Sequence, residues 1–259
     1  YAISTVGGII MTLLMGFYLL PEWGIKKSIV LTAALLGAMP VMLFFVYRKY
    51  KFWVAADAVL LVFLFVSASK PVKDPKSDIH FLYRSEGILG QVSVLDNPHP
   101  DTKRLFRLLF INQIPQTQVN VALMPASGWL YPHRLATLAS IKPRGSKALL
   151  IGMGGGSIAM ELKKMGFDLD IVEIDGRMPT VAKKYFAFEP SGLNIFIDDG
   201  RHFINNSQKK YDLVITDVLN VESLPYHLFT SKSLTELKKI LSADALLLIN
   251  FQGYFQGKH

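Results

Sequence analysis

The chain has 259 residues, enough for two domains, and a mean hydropathy of +0.31, which is high for a purely water-soluble protein. It contains no cysteine, which excludes disulfides, thiolate metal sites and cysteine nucleophiles, and its six histidines form no closely spaced pair. The net charge of +8 lies largely beside hydrophobic segments, which favours anionic lipids over nucleic acid. We therefore predict no metal and no nucleic-acid partner.

Three apolar segments, residues 3–20, 29–47 and 52–69, approach the length of about 20 residues that a helix needs to cross a bilayer. Residues 1–70 are therefore predicted to form three transmembrane helices, with the lipid bilayer as a partner. The first segment lacks a Met or a basic leader, which is untypical of a signal peptide. We interpret the chain as a multi-pass integral membrane protein with its catalytic domain in the cytosol, and residues 1–70 as part of a longer membrane region.

Asp57 is the acidic residue that falls inside a predicted span. Carboxylates within the membrane are often functional. Because Asp57 lies near the end of its segment, a solvated position at the membrane interface is an equally good interpretation. Small residues in the first two spans favour ordinary helix packing over a transport pathway. The positive-inside rule leaves the orientation undetermined, since basic residues flank the spans on both sides.

Residues 71–78 are typical of a linker, because two prolines and several charges interrupt the apolar pattern. Residues 79–142 then contain two β-like stretches, at 90–95 and 105–112. Asp96-Asn97-Pro98 and Asn112-Gln113 supply residues that favour turns. This region is therefore predicted to form a small antiparallel β-sheet.

Residues 143–259 begin with an apolar strand, Lys147–Ile151, followed directly by a glycine loop, which we define as residues 152–156. The loop contains four glycines, Gly152, Gly154, Gly155 and Gly156. Glycines permit a tight turn and allow a ligand to approach the backbone closely. A helical pattern follows up to Gly166, and a second strand at 169–174 contains Glu173 near its end. The order of strand, glycines, helix, strand and acid predicts nucleotide binding, with Glu173 accepting hydrogen bonds from the ribose hydroxyls.

Two further strands are predicted to end in acids. Residues 193–197 lead into Asp198, Asp199 and Gly200, and Tyr211–Thr216 leads into Asp217. In a parallel sheet the ligand lies across the carboxyl ends of the strands, so Glu173, Asp199 and Asp217 are expected to converge on one crevice. The alternative for Asp198 or Asp217 is that the side chain merely caps the next turn. Three acids would repel a pyrophosphate and attract a sulfonium, which favours S-adenosylmethionine or its decarboxylated form.

These motifs resemble those of a known family. The runs Val172-Glu173-Ile174-Asp175, Asp199-Gly200, Tyr211 through Asp217, and Leu228-Phe229-Thr230 are similar to the polyamine aminopropyltransferases, the spermidine and spermine synthases. The likeness begins at about Ile79 and reaches the end of the chain. With apolar segments in front, the chain resembles the membrane-fused spermidine synthase-like group.

The resemblance implies a Rossmann-like α/β transferase fold, preceded by the small sheet and the membrane helices. It also implies roles: Glu173 holds the ribose, Asp199 contacts the adenine amino group, and Asp217 acts on the incoming amine. Asp198, Gly200 and the loop glycines complete the predicted cofactor site. The donor would be decarboxylated or intact S-adenosylmethionine, the acceptor a small amine, and the assembly could be a homodimer.

The chain also departs from the family pattern. Gly155 stands where the family commonly has an aspartate, Asn220 stands where a second acid follows the catalytic one, and Leu89-Gly90 replaces a tyrosine-glutamine pair. The family's tyrosine-histidine-glutamate motif is not cleanly present, although Tyr131 and His133 lie nearby. Each lost acid removes a partner for a charged nitrogen, so the cofactor side of the site is better retained than the acceptor side.

The leading hypothesis is therefore a membrane-anchored, aminopropyltransferase-like enzyme of the kind that makes polyamines. The first alternative is an S-adenosylmethionine-dependent methyltransferase, which Gly155 favours because an aspartate there would repel the carboxylate of the intact cofactor. The second alternative is a non-catalytic, ligand-sensing domain attached to a membrane transporter. His202 could face the crevice, but a solvated or capping position is favoured.

Overall fold

The computed structural model describes residues 1–47, 56, 59–60, 62–63, 79–218 and 225–251. These residues belong to two compact units, Tyr1–Ser77 with Arg84–Gln91, and Asp78–Tyr83 with Val92–His259. Asp57, Asn220, the linker and most of the third predicted span lie outside the described residues.

The first unit contains α1 (Ala2–Leu14), a π-helical turn (Met15–Leu19) and α2 (Leu20–Tyr47). By length and composition, one helix among the described residues could cross a membrane, Ser4–Ile25. The second predicted span corresponds in part to a shorter apolar helix, Lys27–Met39. The prediction of a multi-pass membrane protein is therefore not supported, because the described residues provide one apolar helix of spanning length rather than three.

The helical backbone breaks at Gly24, whose φ of 76° is in the left-handed region. The helix restarts at Ile25, and its free N–H group donates to the Glu86 carboxylate with a distance of 2.6 Å. Ser28 adds a hydrogen bond from its hydroxyl to the Gly24 carbonyl. A carboxylate at the start of a helix satisfies an N–H group that the helix itself leaves unpaired. The break is therefore a capped junction within this unit.

A four-stranded sheet contains β1 (His80–Ser85), β2 (Val92–Pro98), β3 (Leu105–Ile111) and β4 (Ile114–Asn120) in that order. β3 pairs antiparallel with both β2 and β4. Asn112 and Gln113 have φ values of 50° and 69°, as the two central residues of a tight hairpin turn do. The predicted antiparallel sheet and this turn are confirmed.

The predicted turn at Asp96-Asn97-Pro98 is wrong, because these residues form the end of β2. Asp96 lies opposite Arg107, and its two carboxylate oxygens accept hydrogen bonds of 2.7 and 2.8 Å from the guanidinium. Both side chains are largely buried. A bidentate ion pair across the strands outweighs the local turn preference of an Asp-Asn-Pro sequence.

The second sheet is entirely parallel and has five strands: β5 (Lys147–Ile151), β6 (Asp168–Glu173), β7 (Asn194–Ile197), β8 (Tyr211–Thr216) and β9 (Leu241–Ile249). Alternate residues of β5 face opposite sides. Leu150 belongs to the core with α3 (Leu130–Ala139), α4 (Ser157–Met165) and α5 (Met178–Tyr185), whereas Leu149 and Ile151 belong to the core with α6 (Gly200–Asn206) and α7 (Ser231–Lys239). Helices on both faces of a parallel sheet confirm the predicted Rossmann-like class.

The strand order β7-β6-β5-β8-β9 places the start of the fold in the middle of the sheet. The chain runs outward from β5 to β7 and then returns to place β8 on the other side of β5. Ligands of open α/β sheets bind where the strand order reverses, outside the carboxyl ends of the strands. The residues after β5 and β8, which are the glycine loop and Asp217, therefore flank the expected ligand position.

Candidate active site

The glycine loop turns sharply at both of its ends. Gly152 has a φ of +87°, and a Cβ atom there would lie 2.3 Å from the Asp217 carbonyl oxygen. Gly156 has a φ of +86° and precedes α4, and a Cβ atom there would lie 2.6 Å from the Phe188 ring. At both positions the backbone is left-handed and a neighbouring atom leaves no space for a Cβ atom. The loop therefore requires glycine at its first and last residues.

The N–H groups of the loop are largely used by the protein itself. Met153 donates to Glu173 Oε2 over 3.0 Å, and Gly155 donates to Thr117 Oγ1 over 2.9 Å. Gly152 and Gly156 donate to the carbonyls of Val172 and Met153. A phosphate cradle works by pointing such groups at the ligand. In this loop, four of the five N–H groups donate instead to acceptors of the protein itself. The loop is therefore poorly suited to a pyrophosphate.

Glu173 is the last residue of β6 and is buried. Its second oxygen, Oε1, accepts a hydrogen bond of 2.9 Å from the N–H group of Asp175. Burial raises the pKa of the Glu173 carboxyl, and these backbone hydrogen bonds oppose the rise without reversing it. The carboxylate is thus fixed beside the glycine loop, where its predicted role with the ribose stays a prediction.

Asp199 follows β7 and is the N-cap of α6. Its Oδ1 atom accepts hydrogen bonds from the N–H groups of Arg201 and His202, and Oδ2 lies 3.1 Å from His227 Nε2. Burial opposes ionisation of Asp199, but the two backbone hydrogen bonds and His227 together lower the pKa of its carboxyl. Capping was predicted as an alternative for Asp198 or Asp217, and the structure places it at Asp199. Its predicted contact with adenine stays a prediction.

Asp198 and Gly200 flank this cap. The Asp198 carboxylate pairs with the exposed ring of His202, with 2.8 Å between Oδ2 and Nδ1. Gly200 is buried, and a Cβ atom there would lie 2.7 Å from the Ile151 side chain. Gly200 is therefore required for packing, and the Asp198–His202 pair lies at the surface.

Asp217 directly follows β8 and is held by two neutral donors. The Asn250 side-chain amide donates to Oδ1 over 2.7 Å, and the Tyr131 hydroxyl donates to Oδ2 over 3.3 Å. Burial raises the pKa of the Asp217 carboxyl, against the two hydrogen bonds that lower it. Burial and the charge of Asp217 also raise the pKa of the Tyr131 phenol, which keeps it a donor. α3, β8 and the residue after β9 thus meet at one carboxylate.

Glu173 ends β6, whereas Asp199 and Asp217 follow β7 and β8, so the three acids lie at the carboxyl edge of one parallel sheet, as predicted. Sequence reasoning missed Asn250, Thr117 and His227. Asn250 could have been noticed as the first polar residue after an apolar strand, but Thr117 and His227 carry no comparable signal. Among the described residues, no group of three or more metal-ligating side chains is placed to hold an ion.

Thr117 explains the glycine at residue 155. A Cβ atom on Gly155 would lie 2.6 Å from Thr117 Cγ2 and 3.2 Å from the Phe186 ring. Thr117 is itself buried, in β4 of the small sheet. An acidic side chain at residue 155 would need space that is already filled by Thr117 of the small sheet and by Phe186, the residue after α5.

The parallel sheet, the glycine loop and the acids at its edge form a Rossmann-like domain with the fold of the S-adenosylmethionine-dependent transferases. Residues 131–254 match the spermine/spermidine synthase domain. The resemblance to the polyamine aminopropyltransferases is thereby confirmed.

Individual relatives cover different parts of the chain. A polyamine aminopropyltransferase of Vibrio vulnificus is 35% identical over 128 residues, 46% of this chain and 43% of the relative. An N-terminal histidine N-methyltransferase of Emericella nidulans is 35% identical over 188 residues, 66% of this chain and 33% of the relative. The chain thus spans less than half the length of these curated relatives.

The fold is shared with a solved spermidine synthase in complex with the transition-state analogue AdoDATO. The two chains superimpose with a TM-score of 0.55 at 19% identity, over 70% of this chain and 67% of that chain.

Restoring an acid at residue 155 should disrupt the loop. We expect Gly155→Asp to lower the free energy of unfolding by about 1–3 kcal/mol, the usual cost of overpacking, because Thr117 Cγ2 occupies the space. Adding Thr117→Ser removes that methyl group and keeps the hydroxyl, so the double variant should recover part of the loss. Thermal unfolding measures both.

Gly176→Asp is the matched control, since Gly176 is exposed and only the Ile197 side chain approaches its Cβ position, at 3.6 Å. If Gly155→Asp were no less stable than Gly176→Asp, the steric account of Gly155 would be wrong.

Proposed function

We propose that this domain transfers an aminopropyl group from decarboxylated S-adenosylmethionine to the nitrogen of an amine. The observation that carries the proposal is the Asp217 carboxylate, held by Tyr131 and Asn250 and in backbone contact with the glycine loop. A positioned carboxylate beside a nucleotide loop can accept the proton of an attacking amine. The aminopropyltransferase relatives support the same reaction.

The donor is inferred from charge and from the state of the loop. Engaged N–H groups disfavour a phosphate, and the carboxylates of Glu173, Asp199 and Asp217 favour a cation. An adenosyl sulfonium satisfies both conditions, since it carries a ribose for Glu173 and a positive charge but no phosphate. The spermidine synthase complexed with AdoDATO supports a ligand of this kind at the shared fold.

The reaction balances without a redox partner or a metal. The amine lone pair forms a bond to the propyl carbon next to the sulfonium, and the carbon–sulfur bond breaks with its electron pair going to sulfur. Methylthioadenosine leaves as a neutral molecule. The new ammonium then loses one proton, which Asp217 accepts. Tyr131 and Asn250 touch Asp217, so we assign them to holding its carboxylate in position.

Asp217→Asn should lower the rate of methylthioadenosine release by roughly 10²–10⁴-fold, the range for loss of a general base. Because Asp217 must be ionised to accept a proton, and burial raises its pKa, the wild-type rate should rise with pH through that raised pKa. The variant should lose this acidic limb. Rate profiles against pH at saturating donor measure both effects.

Asp101→Asn is the control for this comparison, since Asp101 is an exposed turn residue. An unchanged acidic limb in Asp217→Asn would assign the proton transfer to another group.

A second candidate is methyl transfer to an amine from intact S-adenosylmethionine. It is favoured by the Emericella nidulans methyltransferase, whose 35% identity extends over 188 residues, more of this chain than the Vibrio enzyme matches. It is also favoured by the absence of room for an acid at Gly155, which suits a donor that carries its own carboxylate. The non-catalytic sensor has no such observation in its favour.

Calorimetry with each donor separates the two candidates. We expect the decarboxylated donor to bind, and Glu173→Gln to weaken it by about tenfold or more, because the ribose loses a charged acceptor. Binding should also weaken as the pH falls through the raised pKa of Glu173, since the protonated carboxyl accepts poorly. Glu189→Gln, on the surface, is the control.

Binding of intact S-adenosylmethionine together with no binding of the decarboxylated form would replace aminopropyl transfer by methyl transfer.

We also infer that the Ser4–Ile25 helix anchors the protein in a bilayer. Its apolar side chains, among them Ile9, Ile10 and Phe17, are exposed. A membrane span and a signal sequence share this length and composition, so the inference needs a direct test. The chain should stay in the membrane pellet after a carbonate wash, and Ile10→Arg should release it, since a central arginine costs about 2.5–3.5 kcal/mol.

Ile88→Arg alters an exposed apolar residue outside this helix and should not release the chain. Recovery of the unaltered chain in the wash would contradict the anchor.

A further inference from the structure

We propose that Trp129 is a positioning residue for the proposed transfer. Its indole, held by Gln118 of the small sheet, fixes the Tyr131 ring, and that ring orients the Asp217 carboxylate. The inference rests on the proposed function, because it takes Asp217 to be the base. It gives the small sheet a part in orienting the base, in addition to its contact with the glycine loop.

The chain that leads into α3 lies directly against β4. Ser127 forms an isolated β-bridge with Val119, and the Gly128 N–H donates to the Gln118 carbonyl over 2.7 Å. A Cβ atom on Gly128 would lie 3.3 Å from that carbonyl oxygen and from Gln118 Cγ, which is tighter than an ordinary contact. A glycine therefore allows the two backbones to approach this closely.

Trp129 occupies the N-cap position of α3 but does not cap the helix. An N-cap residue is usually Ser, Thr, Asp or Asn, whose side chain accepts a hydrogen bond from a free N–H group, and Trp129 makes no such bond. Its indole N–H instead donates to Gln118 Oε1 over 3.0 Å, and its backbone N–H donates to Ser127 Oγ over 3.1 Å. The start of α3 is therefore set by contacts with β4 and the chain beside it.

Tyr131, the second residue of α3, connects this helix start with the carboxylate. Its ring centroid lies 6.0 Å from that of Trp129, with 32° between the ring planes, which is within the range of an aromatic pair. Its hydroxyl donates to Asp217 Oδ2 over 3.3 Å. Hydrogen bonds between two oxygens are usually about 2.5–3.0 Å long, so a small displacement of the Tyr131 ring would break this one. The Trp129 indole is therefore placed to decide whether Tyr131 reaches the carboxylate.

The consequence of this arrangement is the basicity and orientation of Asp217. The hydrogen bond from Tyr131 lowers the pKa of the Asp217 carboxyl, against the burial that raises it. Loss of that bond leaves Asn250 as the side-chain donor among the described residues, so the pKa should rise further. The carboxylate also loses one of the two contacts that orient it. Displacing Tyr131 should therefore alter the titration of Asp217, which a general loss of stability would not do.

Titration of Asp217 tests this inference without requiring turnover. The full chain is labelled with ¹³C at the aspartate side-chain carboxyl, Asp217→Asn identifies the resonance, and the pKa is measured by NMR. Gln118→Met removes the acceptor of the indole N–H and keeps an unbranched side chain of similar length. Trp129→Phe breaks the same hydrogen bond from the other side and keeps a ring. Tyr131→Phe removes the hydroxyl that reaches Asp217, and it is made alone and together with Gln118→Met.

We expect each single variant, Gln118→Met, Trp129→Phe and Tyr131→Phe, to raise the pKa of Asp217. Gln118→Met should add nothing when Tyr131 is already Phe, because it acts through the same hydrogen bond. On the acidic limb of the rate profile, methylthioadenosine release with 1,4-diaminobutane or n-butylamine should fall roughly two- to tenfold in each single variant, the usual contribution of one hydrogen bond. Gln208→Met, at an exposed position, is the matched control and should change neither quantity.

Two results would overturn the inference and leave the proposed function intact. One is an unchanged pKa of Asp217 in both Gln118→Met and Trp129→Phe. The other is a shift caused by Gln118→Met that persists in full when Tyr131 is Phe, since the effect would then reach Asp217 by another route. Conversely, shifts in the expected direction, in a chain that transfers nothing to either amine from either donor, would contradict the proposed function alone.

Discussion

The contact between Gly152 and the backbone of Asp217 sets the geometry on which the rest of the crevice depends. The Cβ position of Gly152 lies 2.3 Å from the Asp217 carbonyl oxygen, and the Asp217 N–H donates to Ile151. The backbones that follow β5 and β8 are therefore held against each other. The glycine loop and the proposed base, Asp217, are neighbours before a ligand binds. Transfer chemistry gains from such preorganisation, because the entropy of bringing groups together is lost during folding and not during reaction.

The small sheet completes this arrangement instead of merely preceding it. Thr117 accepts the Gly155 N–H, and Arg107, fixed by Asp96, donates to the Tyr185 carbonyl at the end of α5. Phe186, the next residue, approaches the Cβ position of Gly155. The small sheet thus contacts both the glycine loop and the end of α5. The neutral environment at Gly155 is a property of this packing and not of the glycine alone.

The sequence was sufficient to predict the features that local pattern controls. Strand ends, the helix stop at Gly166 and the Asn112-Gln113 turn depend on residues close in the chain, and the structure has them in place. Asp96 was misassigned because its partner, Arg107, lies on another strand, and the ion pair overrides the turn preference. The link between Tyr131 and Asp217 joins residues 86 positions apart. Such pairings become readable only after the strand order is known, which periodicity does not encode.

Asp217 also lowers the free energy of unfolding when its carboxylate is ionised. Its folded pKa is raised, so the stability it contributes is present below the pKa of the unfolded chain and is lost as the pH rises through the folded value. Once ionised, the carboxylate therefore destabilises the fold, and the hydrogen bonds from Tyr131 and Asn250 offset only part of that loss. A neutral side chain would pack there at lower cost. A carboxylate that weakens the fold when it is ionised has no evident packing role, which supports the proposal that Asp217 is kept for chemistry.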